Sequence, residues 1–203
     1  MMYLILALGL AMAGILVERS RFLYFRTSLN KELFFKNLTA HLLEGNIQGM
    51  IQLCDQNSTP ISRVIKLCLI RLVNKGNDSE IQAALDEGAI SEIPSIEKRI
   101  GFLAVIGNVA TLLGLLGTIT GLIQSFAAVA NADAATKAAE LTKGISEAMN
   151  CTAFGLIVAV PAVFAYSILQ SRAQHLIDDI NEISIRTLNF ILANRERFGI
   201  EEK

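Results

Sequence analysis

The chain has 203 residues, of which 52% are hydrophobic and only 18% charged, against roughly 25% charged in an average soluble domain. Its 18 basic and 19 acidic side chains nearly cancel, which removes the basic field that nucleic-acid binding needs. The cysteines form no CxxC, and the histidines, His41 and His175, stand far apart, which excludes a disulfide framework and a recognisable zinc site.

The distribution of charge predicts an all-α polytopic membrane protein with three transmembrane helices, some of them long and extending into a cytoplasmic helical base. Residues 1–17 carry no charge before Glu18 and predict the first transmembrane helix. The window lacks a basic leader, and Ala11-Met12-Ala13 comes early for cleavage, so it reads as a retained span. Residues 18–99 read as a cytoplasmic helical segment. Leu33, Phe34, Leu38 and Leu42, then Ile47, Met50, Ile51 and Cys54, recur near helical spacing. Asn57-Ser58-Thr59-Pro60 marks a break, with Pro60 suited to the first turn of the next helix. Ile61, Val64, Ile65, Cys68, Leu69 and Leu72 make a second amphipathic run, and Ile81, Leu85 and Ile96 a third.

Residues 100–132, between Arg99 and Asp133, are uncharged. At about 1.5 Å per helical residue they reach roughly 50 Å, more than a hydrocarbon core of about 30 Å. They predict the second transmembrane helix, and 133–147 a short periplasmic connection. Residues 148–171, between Glu147 and Arg172, are again uncharged and predict the third. Leu176, Ile180, Ile183, Leu188 and Ile191 continue it as an amphipathic cytoplasmic tail over 172–203.

Lys and Arg counts near the spans set the expected orientation. Arg19, Arg21, Arg26, Lys31, Lys36, Lys98 and Arg99 flank the first two spans on one side, and Arg172, Arg186, Arg195, Arg197 and Lys203 follow the third. Only Lys137 and Lys143 lie between the second and third spans. That bias predicts an inner-membrane protein with its N-terminus in the periplasm and its C-terminus in the cytoplasm.

There is no P-loop, GxSxG or HExxH, so the expectation is a protein that is not an enzyme and holds no metal or cofactor. The informative residues lie in the spans. Gly107, Gly114, Gly117 and Gly121 sit in the second, and 117–121 fits GxxxG, a pattern of close helix packing in lipid. Thr111 and Thr118 share a helix face. Their hydroxyls either bond back to their own helix or line a polar path. Glu147 opens the third span: it either marks the interface, with Glu140 and Lys143 within two turns, or lines a pathway. Pro161 lies within the same span.

Two ordered motifs then carry a family resemblance. LLGLLGTITGLIQSF, from Leu112 through Phe126, resembles the second-span signature of the ExbB/TolQ/MotA proton-channel family. Gly144-Ile145-Ser146-Glu147-Ala148, Thr152-Ala153-Phe154-Gly155-Leu156 and Ala159-Val160-Pro161-Ala162 resemble its third-span signature, and Glu97-Lys98-Arg99 the approach to the second span. The resemblance is to the ExbB/TolQ branch. It implies a homo-oligomeric ring, pentameric by the family pattern, around helices of an ExbD/TolR-like single-span partner that carries an essential Asp. It also implies a TonB/TolA-like transducer and a proton-motive role in TonB-type transport, Tol-Pal maintenance or gliding. Matched by motif, Thr118 and Thr152 resemble the lumen-facing threonines and Glu147 the third-span glutamate of the proton path. Gly114, Gly117, Gly121, Gly155 and Pro161 are the expected packing positions. Asn150 and Cys151 depart from the apolar or small residues usual in the family. A non-conducting membrane scaffold and a MotA-like flagellar stator are the alternatives; the latter family branch has four spans and a larger cytoplasmic insertion.

Overall fold

The structure is a computed structural model that describes residues 2–27, 31–130, 133 and 135–194. Arg195, Arg197 and Lys203, counted above for the orientation, lie outside the described residues. Every regular element among those described is helical: α1 (Met2–Arg21), continued by a π-helical turn (Phe22–Arg26), α2 (Lys31–Leu43), α3 (Ile47–Asn57), α4 (Pro60–Val73), α5 (Asp78–Glu97), α6 (Ile100–Ala130) and α7 (Lys137–Ala193). Among the described residues three helical stretches are long and apolar enough to cross a membrane, within Met2–Phe25, Asp78–Ala130 (its apolar part in α6) and Lys137–Ala193.

Local chemistry explains the boundaries. Asn46 caps α3 by accepting from the Gly49 N–H. Thr59 and Ser62 form a reciprocal capping box at α4, with Pro60 in the first turn where its missing N–H costs nothing. Asn77 and Glu80 repeat the device at α5. The third amphipathic run and the second span do not merge into one helix. Lys98 leaves the helical region and Arg99 adopts φ 62°, a left-handed conformation that ends α5 before α6 begins. α7 starts at Lys137, well ahead of the charge-free window that opens at Ala148, because Ala138, Ala139, Glu140 and Leu141 are good helix formers.

The chain divides into two compact units. The first holds α1 up to Arg19, α6, and α7 through Gln170. Its outward faces are apolar: Leu112, Leu115, Ile119, Ile123 and Phe126 on α6, and Phe154, Ile157, Val160 and Phe164 on α7, are all exposed. Its interior combines small residues such as Ala110, Ala148, Ala159 and Ala162, which let helices approach closely in lipid, with the larger Ile5, Ile100, Leu103, Ile106 and Leu169. At the other end of α1, Arg99 Nη1 donates to both carboxylate oxygens of Glu18, at 2.8 and 2.7 Å.

The second unit holds residues 20–98 and α7 from Ser171 onward. Here burial follows an ordinary soluble pattern. Phe34, Leu38, Leu42, Met50 and Cys54 are buried, as is the whole α4 stripe of Ile61, Val64, Ile65, Cys68, Leu69 and Leu72. α4 and α5 approach closely at Gly88, where a side chain would meet Val64 Cα at 3.2 Å. Leu176, Ile180, Ile183 and Ile191 of α7 are buried, and Leu188 is half-buried.

Candidate functional site: the α6–α7 seam and its flanking cleft

Three glycines of α6, Gly107, Gly114 and Gly121, recur every seven residues and so return to one face. Each meets a small residue of α7. A Cβ at Gly107 would approach Val163 at 2.7 Å and the Ala159 carbonyl at 3.3 Å; one at Gly114 would approach Thr152 Cα at 3.2 Å and Gly155 Cα at 3.4 Å. One at Gly121 would come within 2.8 Å of Ala148 Cβ, and one at Gly155 within 2.8 Å of the Ala110 carbonyl. Further along, Gly144 packs directly on Ser125. The seam is thus an antiparallel ladder that pairs the start of α6 with Ala159 to Val163 and its end with Gly144. Gly117 is buried beside it. Pro161 is exposed on α7, on the side away from α6. The helix runs on through this residue, whose ring leaves the Ile157 carbonyl without its usual donor.

The threonines occupy one flank of the seam. Thr152 donates its hydroxyl across it, to the Gly114 carbonyl at 3.1 Å. Thr118 lies one turn along α6 from Gly114 and donates back to the Leu115 carbonyl at 2.7 Å. Thr111, one turn the other way, donates to the Gly107 carbonyl at 3.0 Å. Each hydroxyl keeps acceptor capacity.

Glu147 stands elsewhere. Five residues separate it from Thr152, about 140° around a helix at 3.6 residues per turn. It lines a cleft of about 380 Å³ on the other flank, with Gly117, Thr120, Gln124 and Ser125 of α6 and Glu140, Lys143 and Cys151 of α7. Neither Thr118 nor Thr152 borders this cleft. The two expected threonines come together, then, and the glutamate does not join them. Reading motifs singly could not reveal this, but a helical projection could: Thr120 and Gln124 are four apart, and Glu140, Lys143 and Glu147 repeat at three and four residues.

Residues 56–182 match the model of the MotA/TolQ/ExbB proton channel family. The chain belongs to this family. The match includes the seam, the threonine flank and the cleft. Among curated relatives, the chain is 39% identical over 108 residues to the Tol-Pal system protein TolQ of Haemophilus influenzae, covering 53% of this chain and 46% of that protein. It is 30% identical over 172 residues to an ExbB-like biopolymer transport protein of Synechocystis, covering 82% of this chain and 79% of the relative. It is 28% identical over 186 residues to an ExbB homologue of Methanothermobacter thermautotrophicus, covering 91% and 64%. The match thus spans about half the length of the TolQ relative and most of the ExbB-like one. As a family member with three apolar spans, the chain is a membrane protein of the ExbB/TolQ type.

Proposed function

We propose that this chain is the proton-channel subunit of an ExbB/TolQ-like inner-membrane motor, with its N-terminus in the periplasm and its C-terminus in the cytoplasm. In this reading copies form a homo-oligomeric ring, a pentamer by the family pattern, around an ExbD/TolR-like helix whose Asp alternates between two exposures. A TonB/TolA-like transducer or its equivalent takes up the work. The observation that carries the reading is the threonine flank. Two spans otherwise free of charge place the hydroxyls of Thr118 and Thr152 within about one turn of each other, and each can both accept and donate. Among the described residues that flank carries no carboxylate, Glu147 lying on the other, so a complete relay needs one from a partner helix. The free energy is then the membrane potential, about 2.3 kcal/mol per charge per 100 mV, plus any pH gradient.

Proton flux into liposomes that hold this chain and its partner tests the reading. Thr118→Val and Thr152→Val keep the shape and remove the hydroxyl; each should lower flux at least tenfold, about 1.4 kcal/mol in barrier, with insertion and oligomer size unchanged. Glu147→Gln should also lower flux. Wild-type flux in all three variants would overturn the path and leave the scaffold reading standing.

A further inference from the structure

Two arginines of α7 lie over aromatic rings, Arg172 over Tyr24 at 5.5 Å and Arg186 over Phe35 at 5.7 Å. Their counter-charges differ. Arg186 is paired with Glu182 and Glu32. Arg172 pairs with no carboxylate among the described residues, and its Nε is shut off from solvent without an acceptor. The sequence explains why: no acidic residue lies between Glu147 and Asp178, or between Glu18 and Glu32. Asp178, the next acid along α7, accepts from Gln174. Arg21, three residues before Tyr24, is exposed and likewise forms no ion pair among the described residues. Tyr24 is 47% exposed and Phe25 84%. Both lie in the π-helical turn at the end of the first apolar stretch, Met2–Phe25, and Arg172 is the first charge after the third uncharged window. Arg21, Tyr24, Phe25 and Arg172 all belong to the second unit. Aromatic rings exposed where an apolar span ends sit at the level of lipid headgroups, and an arginine there keeps its charge in the polar layer. Stacking on a ring face leaves the N–H edge of a guanidinium free for a phosphate.

We propose that Arg172, held over Tyr24 and with Arg21 as a second cation, binds the phosphate of an anionic phospholipid. Charge complementarity selects this occupant. The patch carries two unpaired cations and no carboxylate, and the apolar ring of Phe25 stands exposed beside them in sequence. A headgroup with its acyl chains satisfies both features, whereas a soluble phosphate satisfies only the first. The guanidinium donates to the phosphate oxygens, Tyr24 fixes its plane, and Phe25 offers the acyl chains an apolar contact. The site is separate from the proton path, so a chain that carries no proton current would still hold the lipid.

The test titrates the full chain, in mild detergent, with dioctanoyl phosphatidylglycerol, dioctanoyl phosphatidylcholine or glycerol phosphate, and counts bound lipid by native mass spectrometry. Wild type should bind the phosphatidylglycerol about tenfold tighter than the phosphatidylcholine, which has the same chains but no net charge. Arg172→Ala should lower phosphatidylglycerol affinity about fivefold, the effect of one cation near an anionic surface. Arg172→Lys should lower it less, since the charge stays and the planar fork is lost. Tyr24→Leu should weaken binding and Tyr24→Phe should not, while Arg186→Ala, which removes a paired cation, should leave it unchanged. Equal affinity for the two lipids would overturn the proposal, and so would an undiminished preference in Arg172→Ala. Full competition by glycerol phosphate would overturn the lipid as occupant in favour of a soluble phosphate. Helicity and oligomer size separate loss of the site from loss of the fold, and the Arg172→Lys and Tyr24→Phe variants carry the test where Arg172→Ala fails that check.

Discussion

Gly155 and Gly14 differ in what one added methyl group would meet. At Gly155 it would lie 2.8 Å from the Ala110 carbonyl and 3.1 Å from Gly114 Cα, both backbone atoms that cannot swing aside, whereas at Gly14 nothing lies within 4 Å. Gly155→Ala must part α6 from α7 and should cost about 1–3 kcal/mol. Gly14→Ala should be neutral or gain up to about 1 kcal/mol from helix propensity. Thermal loss of helicity in mild detergent would show it, and equal melting of the two variants would contradict the close seam. Burial has a chemical consequence in the second unit, where desolvation pushes the Cys54 and Cys68 thiols up to about 12. In a Cys151→Ser background both should resist maleimide at pH 8 until the protein is denatured. Rapid labelling of the folded protein would show that the α3–α4 core opens.

At the scale of elements, the stretch of α7 beyond Gln170 is held to α2 by charge. Lys31 Nζ donates to Asp179 at 2.7 Å and to Glu182 at 2.8 Å, and Arg186 reaches Glu182 at 2.8 Å and Glu32 at 3.4 Å. Arg172 and Arg186 also lie over the rings of Tyr24 and Phe35, at 5.5 and 5.7 Å. The hydrogen bonds that Lys31 donates to Asp179 and Glu182 raise its pKa above the ordinary value, and the one to Glu182 lowers that carboxylate's. The signs give two windows. Stability from Lys31 is fully present below its unfolded pKa of about 10.4 and is lost as pH rises through the folded value. Stability from Glu182 is present above its unfolded pKa of about 4.3 and is lost as pH falls through the lowered folded value. Lys31→Met should therefore destabilise near neutral pH, and its difference from wild type should shrink as pH falls below about 4. Because these groups are only half-buried, salt should shrink it too. Denaturant melts at three pH values would check this, and a pH-independent difference would mean that Lys31 acts through packing alone.

For the whole molecule the decisive property is topology. The excess of Lys and Arg in 18–99 and after 171, against Lys137 and Lys143 between the second and third spans, supports the proposed orientation through the positive-inside rule. Asp133→Cys should react with an impermeant thiol reagent in intact cells, and Glu87→Cys, on the exposed side of α5, only after permeabilisation. The reverse pattern would turn the chain over and move the cleft to the other side of the membrane.

The family, the all-helical class and the three spans were legible in the residues themselves, because burial in lipid needs long uncharged windows and the family motifs fall inside them. The helix start at Pro60 and the α4 stripe were legible for the same local reason: their chemistry acts within four residues. What the spacing could not decide was which glycine face meets which neighbour. GxxxG drew attention to Gly117 and Gly121, but the seam follows Gly107, Gly114 and Gly121, because the antiparallel partner offers small residues at matching intervals. Nor could a motif show that Thr152 spends its proton on Gly114 of another helix, or that Glu147 turns to a cleft on the far flank. Sequence by itself determined that three stretches are long and apolar enough to span. Only tertiary structure decided which flank each one faces, since that depends on how two helices are rotated against each other and not on either helix alone.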